Sequence, residues 1–165
     1  APSAGLMTLQ EFNHFTLFVS DQAHSVELYQ RVFGLPIDTY QGAMPILRVG
    51  SGKQFLALAQ VPPLSGRIHH ASLAVDDFDV DRIFSLLEGY GLNILGETGS
   101  ANGPLQAYVA MRGPDRGGAQ QGTPELYFTD PDGILIQLQD SSYCGGNGYL
   151  GEECGTVENP TGRNN

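Results

Sequence analysis

Two histidines and one glutamine in this chain have the residue types and the spacing of a metal site. His14 and His70 each lie near the start of an alternating, strand-like stretch, and Gln137 lies in the last such stretch. Neutral imidazoles together with an amide oxygen suit a divalent transition metal. Ala57 occupies the fourth equivalent position, which would leave coordination positions open for water or a substrate, as a catalytic metal requires.

The residues around Gln137 predict two strands that are joined by a tight turn. The turn is Asp-Pro-Asp-Gly at residues 130–133, where Pro fixes one backbone dihedral and Gly permits a positive φ. On either side of the turn the side chains alternate with a period of two. One face carries Tyr127 and Gln137 within a frame of Leu and Ile, which predicts the lining of a cavity rather than a solvent-facing surface.

The chain repeats one pattern of elements. Residues 12–60 have the pattern of a strand, a helix and three further strands, and the Pro-rich residues 61–66 read as a linker. The pattern then begins again over residues 67–140, and its first strand aligns with that of the first unit at an offset of 56, which matches His14 with His70. The repeat predicts two related modules within one domain.

The alternation of side chains also sorts the candidate residues by face. In each module the helix covers the face that carries Leu, Val and Ile, so His14, His70, Ala57 and Gln137 lie on the opposite face. His69 falls on the helix side of this alternation, which favours His70 as the ligand. If the modules pack about a pseudo-two-fold axis, their first and last strands converge on one cavity. The same face carries further candidates, namely Thr16, Phe18, Arg48, Ser72, Ala74, Tyr108 and Tyr127.

On these residues the chain resembles the vicinal oxygen chelate superfamily, which includes glyoxalase I, extradiol dioxygenases, epimerases and antibiotic-resistance proteins. The resemblance covers about residues 12–140 and implies an α+β fold, in which two tandem βαβββ modules form a single domain with a curved mixed sheet around a central cavity. The family's metal positions match His14, Ala57, His70 and Gln137. The segment from Tyr127 through Gly133 to residue 137 also resembles the extradiol dioxygenase signature.

The chain departs from that signature at two positions. The liganding Glu of the family is Gln137 here, and the His upstream of the signature Tyr is missing, with Gln120 near its place. A neutral amide binds a hard cation less well than a carboxylate and leaves the metal one net charge more positive. We therefore expect weaker binding of iron(II) and a stronger Lewis acid, and the missing His argues against ordinary catechol cleavage.

The resemblance implies a metal-dependent enzyme that chelates a small-molecule substrate through adjacent oxygens, with the dioxygenase signature favouring ring cleavage or a related oxygenation. The metal would be Fe, Mn, Ni, Co or Zn, and Tyr127 would orient or protonate a substrate oxygen. The predicted substrate-binding residues are Phe18, Arg48, Tyr108 and Gln120. Two alternatives remain open: a glyoxalase-like lyase or isomerase, and a metal-free drug-sequestering protein, in which an acidic pocket would suit a cationic drug. A homodimer is compatible with each of these functions.

The composition limits the classes of binding partner that the protein can have. The net charge is −10, from 8 basic and 18 acidic residues with no basic run, which argues against nucleic acid and anionic membrane surfaces. No apolar run approaches the roughly 20 residues of a membrane helix.

Both cysteines lie in the Gly-rich tail, residues 141–165. Cys144 and Cys154 are close enough in sequence for a disulfide, which predicts a secreted or periplasmic protein, whereas two free thiols would fit a cytoplasmic one. The tail around them would be either a flap at the cavity mouth or a tied-down terminus. Residues 1–11 are expected to be a loose arm, and the start at Ala1 suggests a processed terminus.

Overall fold

The computed structural model describes residues 4–155 of the chain. Within these residues, two helices and nine strands form the fold. The helices are α1 (Gln22–Phe33) and α2 (Val80–Tyr90). The strands are β1 (Leu9–Val19), β2 (Ile37–Gln41), β3 (Met44–Arg48), β4 (Phe55–Gln60), β5 (Arg67–Val75), β6 (Asn93–Glu97), β7 (Gln106–Arg112), β8 (Thr123–Thr129) and β9 (Leu135–Asp140). Short 3-10 turns lie at Pro62–Leu64 and Pro114–Arg116.

All nine strands belong to one mixed sheet with the order β2-β3-β4-β1-β5-β9-β8-β7-β6. The two modules meet at its centre, where β1 and β5 pair antiparallel. Within each module the first strand pairs parallel with the last one, β1 with β4 and β5 with β9. The predicted α+β fold with a mixed sheet is confirmed, and the second module carries one additional edge strand, β6.

The strand register makes the two modules equivalent residue by residue at the centre of the sheet. Thr16 of β1 lies opposite Ala57 of β4, and Ser72 of β5 lies opposite Gln137 of β9. Since Thr16 and Ser72 are separated by the same offset of 56 as the two histidines, Ala57 and Gln137 occupy equivalent positions in the two modules.

Each helix begins and ends through local chemistry that the sequence contains. The Asp21 side chain accepts a hydrogen bond from the His24 backbone N–H at the start of α1, and Gly34 ends that helix with a positive φ of 67°. The Asp79 side chain caps α2 in the same way. The helix α2 then packs Ile83 and Leu87 against the second half of the sheet, in a cluster that also contains Val75, Leu92, Ala107, Leu126 and Leu138.

The first strand is longer than the sequence predicted. The segment from Leu9 to Glu11 was expected to be part of a loose arm, but Leu9 and Glu11 lie opposite Val75 and Ala74 of the other module. Pairing across the module boundary stabilises an N-terminal segment whose own alternation is weak. Residues 1–3 of the predicted arm and residues 156–165 of the tail lie outside the described part. No helix in residues 4–155 is long and apolar enough to cross a membrane.

Candidate metal and substrate site

The two predicted histidines meet at the centre of the sheet. His14 of β1 and His70 of β5 bring their Nε2 atoms to 3.2 Å from each other. Their side chains are almost fully buried, with exposed fractions of 5% and 6%. The ring of His14 stacks on Phe55 of β4 at 4.2 Å between centroids, which fixes its plane. The two imidazoles therefore form a preformed pair of nitrogen donors.

A β-bulge next to each histidine supplies a side chain that orients its ring. Asn13 and His69 have no partner in the pairing of β1 with β5, so the register shifts at both places. Asn13 Oδ1 lies 2.8 Å from His14 Nδ1, and His69 Nδ1 lies 2.9 Å from His70 Nδ1. A bulge redirects a side chain relative to strict alternation.

The prediction that His69 lies on the helix side is therefore wrong. The bulge turns His69 to the same side as His70, where its ring also stacks on Phe18 at 4.6 Å. Sequence alternation had no means of showing the extra residue, because a bulge leaves the period of each flanking segment intact. The equivalence of Asn13 and His69, again at an offset of 56, is the sequence signal that could have indicated them.

Both histidines are held in their neutral form. Burial lowers the pKa of His14 well below 6.5, with further lowering from the charges of His70 and Arg112. Burial, followed by the charge of His69, lowers the pKa of His70 to about 3. Neutral imidazole is the form that binds a metal.

The tautomer of His14 follows from its neighbours. The Asn13 amide nitrogen donates to the Tyr143 carbonyl at 2.8 Å, so its oxygen is the atom that faces His14. That oxygen accepts from Nδ1–H of His14, which leaves the lone pair on Nε2. A hydrogen bond to the distal ring nitrogen is the usual arrangement for a metal-binding histidine.

The predicted third ligand, Gln137, lies in a buried hydrogen-bonded chain. Its side-chain nitrogen donates to the Tyr127 hydroxyl oxygen at 2.9 Å, and that hydroxyl donates to Glu125 Oε2 at 3.3 Å. The Tyr127 ring packs edge-on against His70 with 5.2 Å between centroids. Burial raises the pKa of Tyr127 well above 10, and the charges of Glu125, Tyr143 and Tyr108 raise it further. Tyr127 therefore stays protonated and acts as a donor.

The residues present fit a divalent metal. Gln137 Oε1 is buried without a hydrogen-bond partner in the structure, and buried polar atoms are rarely left in that state. Two facing imidazole nitrogens and one unpartnered amide oxygen form a mixed N/O donor set that suits such an ion. Residues 4–155 contain no cluster of three His, Cys, Asp or Glu side chains in metal-binding geometry, so a third donor beside the two imidazoles would have to be another residue type, such as the amide of Gln137.

A cavity of about 650 Å³ lies beside this set on the second module. Tyr108 and Tyr127 form one wall as a stacked pair with 5.0 Å between ring centroids. His69 and Tyr127 line the cavity and both contact His70, so the cavity ends next to the imidazole pair. Glu125 also lines the cavity. The sequence did not indicate this residue, because one acidic residue in a strand gives no distinctive pattern.

Glu125 is held by a buried ion pair. Its Oε1 atom accepts from Arg112 Nε at 2.8 Å, and the two side chains are 8% and 1% exposed. The same guanidinium donates to the carbonyls of Gly146 and Arg116. Arg112 thus links the cavity wall to the chain that follows β9.

That following chain covers the first module's half of the site. We call residues 143–154 the tail loop; it contains the Cys144–Cys154 disulfide, which the sequence predicted. Tyr143 is buried with its ring 5.7 Å from that of His14, and its hydroxyl accepts from Gln41 Nε2. The tail loop therefore closes the concave face over β3 and β4.

The remaining predicted residues lie in different places. Phe18 contacts His69, and Tyr108 lines the cavity. The structure does not bring Arg48 to the cavity, because its guanidinium is bound to Asp38 and to the carbonyls of Lys53 and Cys144. Gln120 is exposed in the turn before β8 and is likewise not part of the cavity lining.

A family model for the Glyoxalase/Bleomycin resistance protein/Dioxygenase superfamily matches residues 11–138 of the chain.

Solved structures show the same fold. Methylmalonyl-CoA epimerase from Mycobacterium tuberculosis is 17% identical with a TM-score of 0.54, covering 84% of this chain and 91% of that one. A variant of the Streptomyces coelicolor methylmalonyl-CoA epimerase with 2-nitronate-propionyl-CoA is 18% identical with a TM-score of 0.52, covering 79% and 94%. The 2,2',3-trihydroxybiphenyl 1,2-dioxygenase of Sphingomonas wittichii is 21% identical with a TM-score of 0.50, covering 83% and 42%.

Proposed function

Because the chain belongs to the Glyoxalase/Bleomycin resistance protein/Dioxygenase superfamily, we propose that it is a metal-dependent enzyme that binds a small substrate through two adjacent oxygens. The observation that carries this proposal is the donor set at the module boundary. His14 and His70 present facing Nε2 atoms, and Gln137 presents a buried amide oxygen that has no other partner. These three side chains would hold the metal.

A divalent metal bound there would act as a Lewis acid and would lower the pKa of a substrate hydroxyl or of a C–H next to a carbonyl. The chain's own residues supply the rest. Tyr127 keeps Gln137 oriented by accepting from its amide nitrogen, so that the amide oxygen stays directed away from that hydrogen bond. Asn13 and His69 hold the two imidazole rings.

Proton transfer falls to the pair formed by Glu125 and Tyr127. Both line the cavity, and the Glu125 carboxylate is anchored by Arg112 while its second oxygen faces the Tyr127 hydroxyl. Glu125 can accept a proton from the substrate, and Tyr127, which stays protonated, can then turn the O–H that it now donates to Glu125 towards the substrate oxygen. This pair does the acid–base work that the signature His, absent here, would otherwise do.

Two reaction classes use this arrangement. The Tyr127 signature supports ring cleavage or a related oxygenation of a vicinal diol on an aromatic ring. The Glu125 carboxylate beside the cavity supports the alternative, an isomerase- or lyase-type proton transfer next to a carbonyl. We take ring-cleavage-type oxygenation as the leading assignment because the signature covers the turn and the ligand position together.

The first test is metal retention. The protein is stripped with a chelator, incubated separately with Fe(II), Mn, Ni, Co and Zn, dialysed, and assayed by elemental analysis. We expect one equivalent of at least one of these metals, lost in His14→Ala and in His70→Ala but kept in His24→Ala, which changes an exposed histidine on α1. Retention of none of the five by the parent protein would refute metal dependence.

The second test separates the reactions. The loaded protein is incubated with catechols under air, with oxygen uptake as the readout, and with 2-hydroxy ketones or 2-alkyl acyl thioesters in D₂O, with deuterium incorporation as the readout. Oxygen uptake that is lost in Tyr127→Phe supports ring cleavage. Deuterium incorporation that is lost in Glu125→Gln, without oxygen uptake, would replace it with proton transfer.

The donor set also favours one second candidate, a metal-free binding protein. The family's carboxylate is an amide here, and the imidazole nitrogens are close enough to share a proton instead of a metal. In that case the cavity would bind its ligand with an affinity that EDTA leaves unchanged. A ligand affinity that rises on metal loading would exclude this candidate.

A further inference from the structure

The charge inside the cavity differs in sign from the charge of the protein. The chain carries a net charge of −10, but the cavity lining contains two charged side chains, Glu125 and Arg116. Glu125 is already neutralised by Arg112 through a buried ion pair of 2.8 Å. The unbalanced charge that faces the cavity is therefore the positive charge of Arg116.

The guanidinium N–H groups of Arg116 are available for hydrogen bonding. It lies in the 3-10 turn Pro114–Arg116 and is exposed, and among residues 4–155 its guanidinium has no ion pair and no hydrogen bond. A guanidinium presents several N–H donors in a planar arrangement that matches a carboxylate. An arginine on a cavity wall with unused donors is a recognition group for an anion.

A second unused donor lies on the aromatic wall. Tyr108 is 4% exposed and lines the cavity, and its hydroxyl forms no hydrogen bond with another group in residues 4–155. Burial and the nearby charge of Glu125 raise the pKa of Tyr108 to about 12, so the hydroxyl remains protonated at neutral pH. It is therefore available as a neutral donor to an acceptor oxygen in the cavity.

The remaining wall suits a flat apolar group. The stacked rings of Tyr108 and Tyr127 face a lining that includes Ile68, Ile134 and Leu135. A volume of about 650 Å³ lies within the range of small-molecule sites, roughly 300–1,000 Å³. An aromatic ring gains from packing against such a wall by offset stacking and by apolar burial.

We propose that this cavity binds an aromatic carboxylate, with its ring along the tyrosine pair and its carboxylate at Arg116 and the Tyr108 hydroxyl. The assignment deepens the proposed function by naming a substrate class, and it rests on that function only for the chemistry at the metal. It reverses the expectation of a cationic drug, which came from the total charge. Surface charges farther than about 8 Å are largely screened at physiological salt, whereas a contacting guanidinium is not.

The test uses three probes that differ in charge and lack paired adjacent oxygens on the ring: benzoate, benzyl alcohol and benzylamine. Their binding to the metal-free protein in EDTA is measured by ligand-observed NMR titration. We expect benzoate to bind about tenfold more tightly than benzyl alcohol, and benzylamine to bind most weakly. Because the metal is absent, this outcome is independent of whether the metal hypothesis holds.

Matched variants assign the effect to the cavity. Arg116→Gln should lower the benzoate affinity about fivefold or more and leave benzyl alcohol unchanged, and Tyr108→Phe should lower it about threefold. Arg31→Gln, which removes an equal charge from an exposed position on α1, should change neither. Equal binding of the three probes, tighter binding of benzylamine, or an unchanged benzoate affinity in Arg116→Gln would overturn the proposal.

Discussion

The two modules share one plan of strands and one pair of equivalent histidines, yet their concave faces differ. In the first module Ala57 occupies the position of the potential ligand, and the tail loop lies over the face with Tyr143 against Phe55 and His14. In the second module the equivalent residue is Gln137, and the face opens into a cavity. The repeat thus supplies the scaffold, while a few substitutions and one added loop decide which half presents an open cavity.

The largest effect should come from breaking the contact that joins the cavity wall of the second module to the tail loop over the first. Arg112 of the second module binds Glu125 in the cavity wall and the Gly146 carbonyl in the tail loop, and both contacts are buried. Arg112→Met leaves the Glu125 carboxylate buried without its partner, which should lower the free energy of unfolding by about 3–5 kcal/mol. Urea denaturation followed by circular dichroism measures this loss.

The double variant Arg112→Met/Glu125→Leu is the control, because removing both charges should restore most of the stability. If the single variant were as stable as the parent, the ion pair between Arg112 and Glu125 would not stabilise the cavity wall.

The second-largest effect should come from substitutions that remove the chemical difference between the modules at position 137. Gln137→Ala gives the second module the residue that the first has at Ala57, and should weaken metal binding by at least tenfold because one of three donors is lost. Gln137→Glu should instead strengthen the binding of iron(II), since a carboxylate is the harder and charged ligand. Competition titrations with a chromophoric chelator measure both affinities.

The matching control is Gln139→Ala, two residues further along the same strand and equally buried. If Gln139→Ala reduced metal affinity as much as Gln137→Ala did, the amide at position 137 would not be a ligand.

The third-largest effect should come from opening the disulfide of the tail loop, which lies over the first module. Reduction of Cys144–Cys154, or Cys144→Ala with Cys154→Ala, should lower the free energy of unfolding by about 2–3 kcal/mol, because the bond closes a short loop. It should also increase hydrogen exchange at Gly145 and Gly146 while leaving β7 and β8 protected. Hydrogen exchange with mass spectrometry resolves the two regions. Equal deprotection of both modules would show that the tail loop is not a cover specific to the first.

The smallest effect is a pH dependence that belongs to the module boundary. The pKa of His70 is lowered to about 3, below its ordinary value of 6.5, so the unfolded chain binds the proton more readily. The free energy of unfolding should therefore fall as the pH drops below about 6.5, by about 1 kcal/mol between pH 7 and pH 5.5 from this group alone. Chemical denaturation at a series of pH values measures it.

His70→Gln should remove that part of the acid sensitivity, whereas His24→Gln, at an exposed site, should not. The same slope in the parent and in His70→Gln would contradict a neutral, buried His70.

The sequence predicted those parts of the molecule that follow from periodicity and local chemistry. The disulfide and the convergence of His14 with His70 are visible in residue types and spacing, and the mixed sheet follows from the family resemblance. What alternation cannot show is a register shift. The bulges at Asn13 and His69 became apparent only in the pairing of β1 with β5.

The features that the sequence did not predict depend on contacts between segments that are far apart in the chain. Arg48 was expected at the site because of its face, but the tail loop and Asp38 engage its guanidinium. Glu125 and Arg112 lie 13 residues apart and form their ion pair through the register of β7 with β8. The covering of the first module by Tyr143 likewise arises from packing between residues about 130 positions apart.

We propose that one metal ion is bound by both modules at their boundary. Anomalous diffraction from crystals soaked with Co(II) or Ni(II), recorded above and below the metal edge, tests it directly. We expect a single strong anomalous peak about 2.1 Å from Nε2 of both His14 and His70 and within bonding distance of Gln137 Oε1. No peak between the imidazoles, or a peak only at surface side chains such as His24, would show that the two modules do not bind a metal at their boundary.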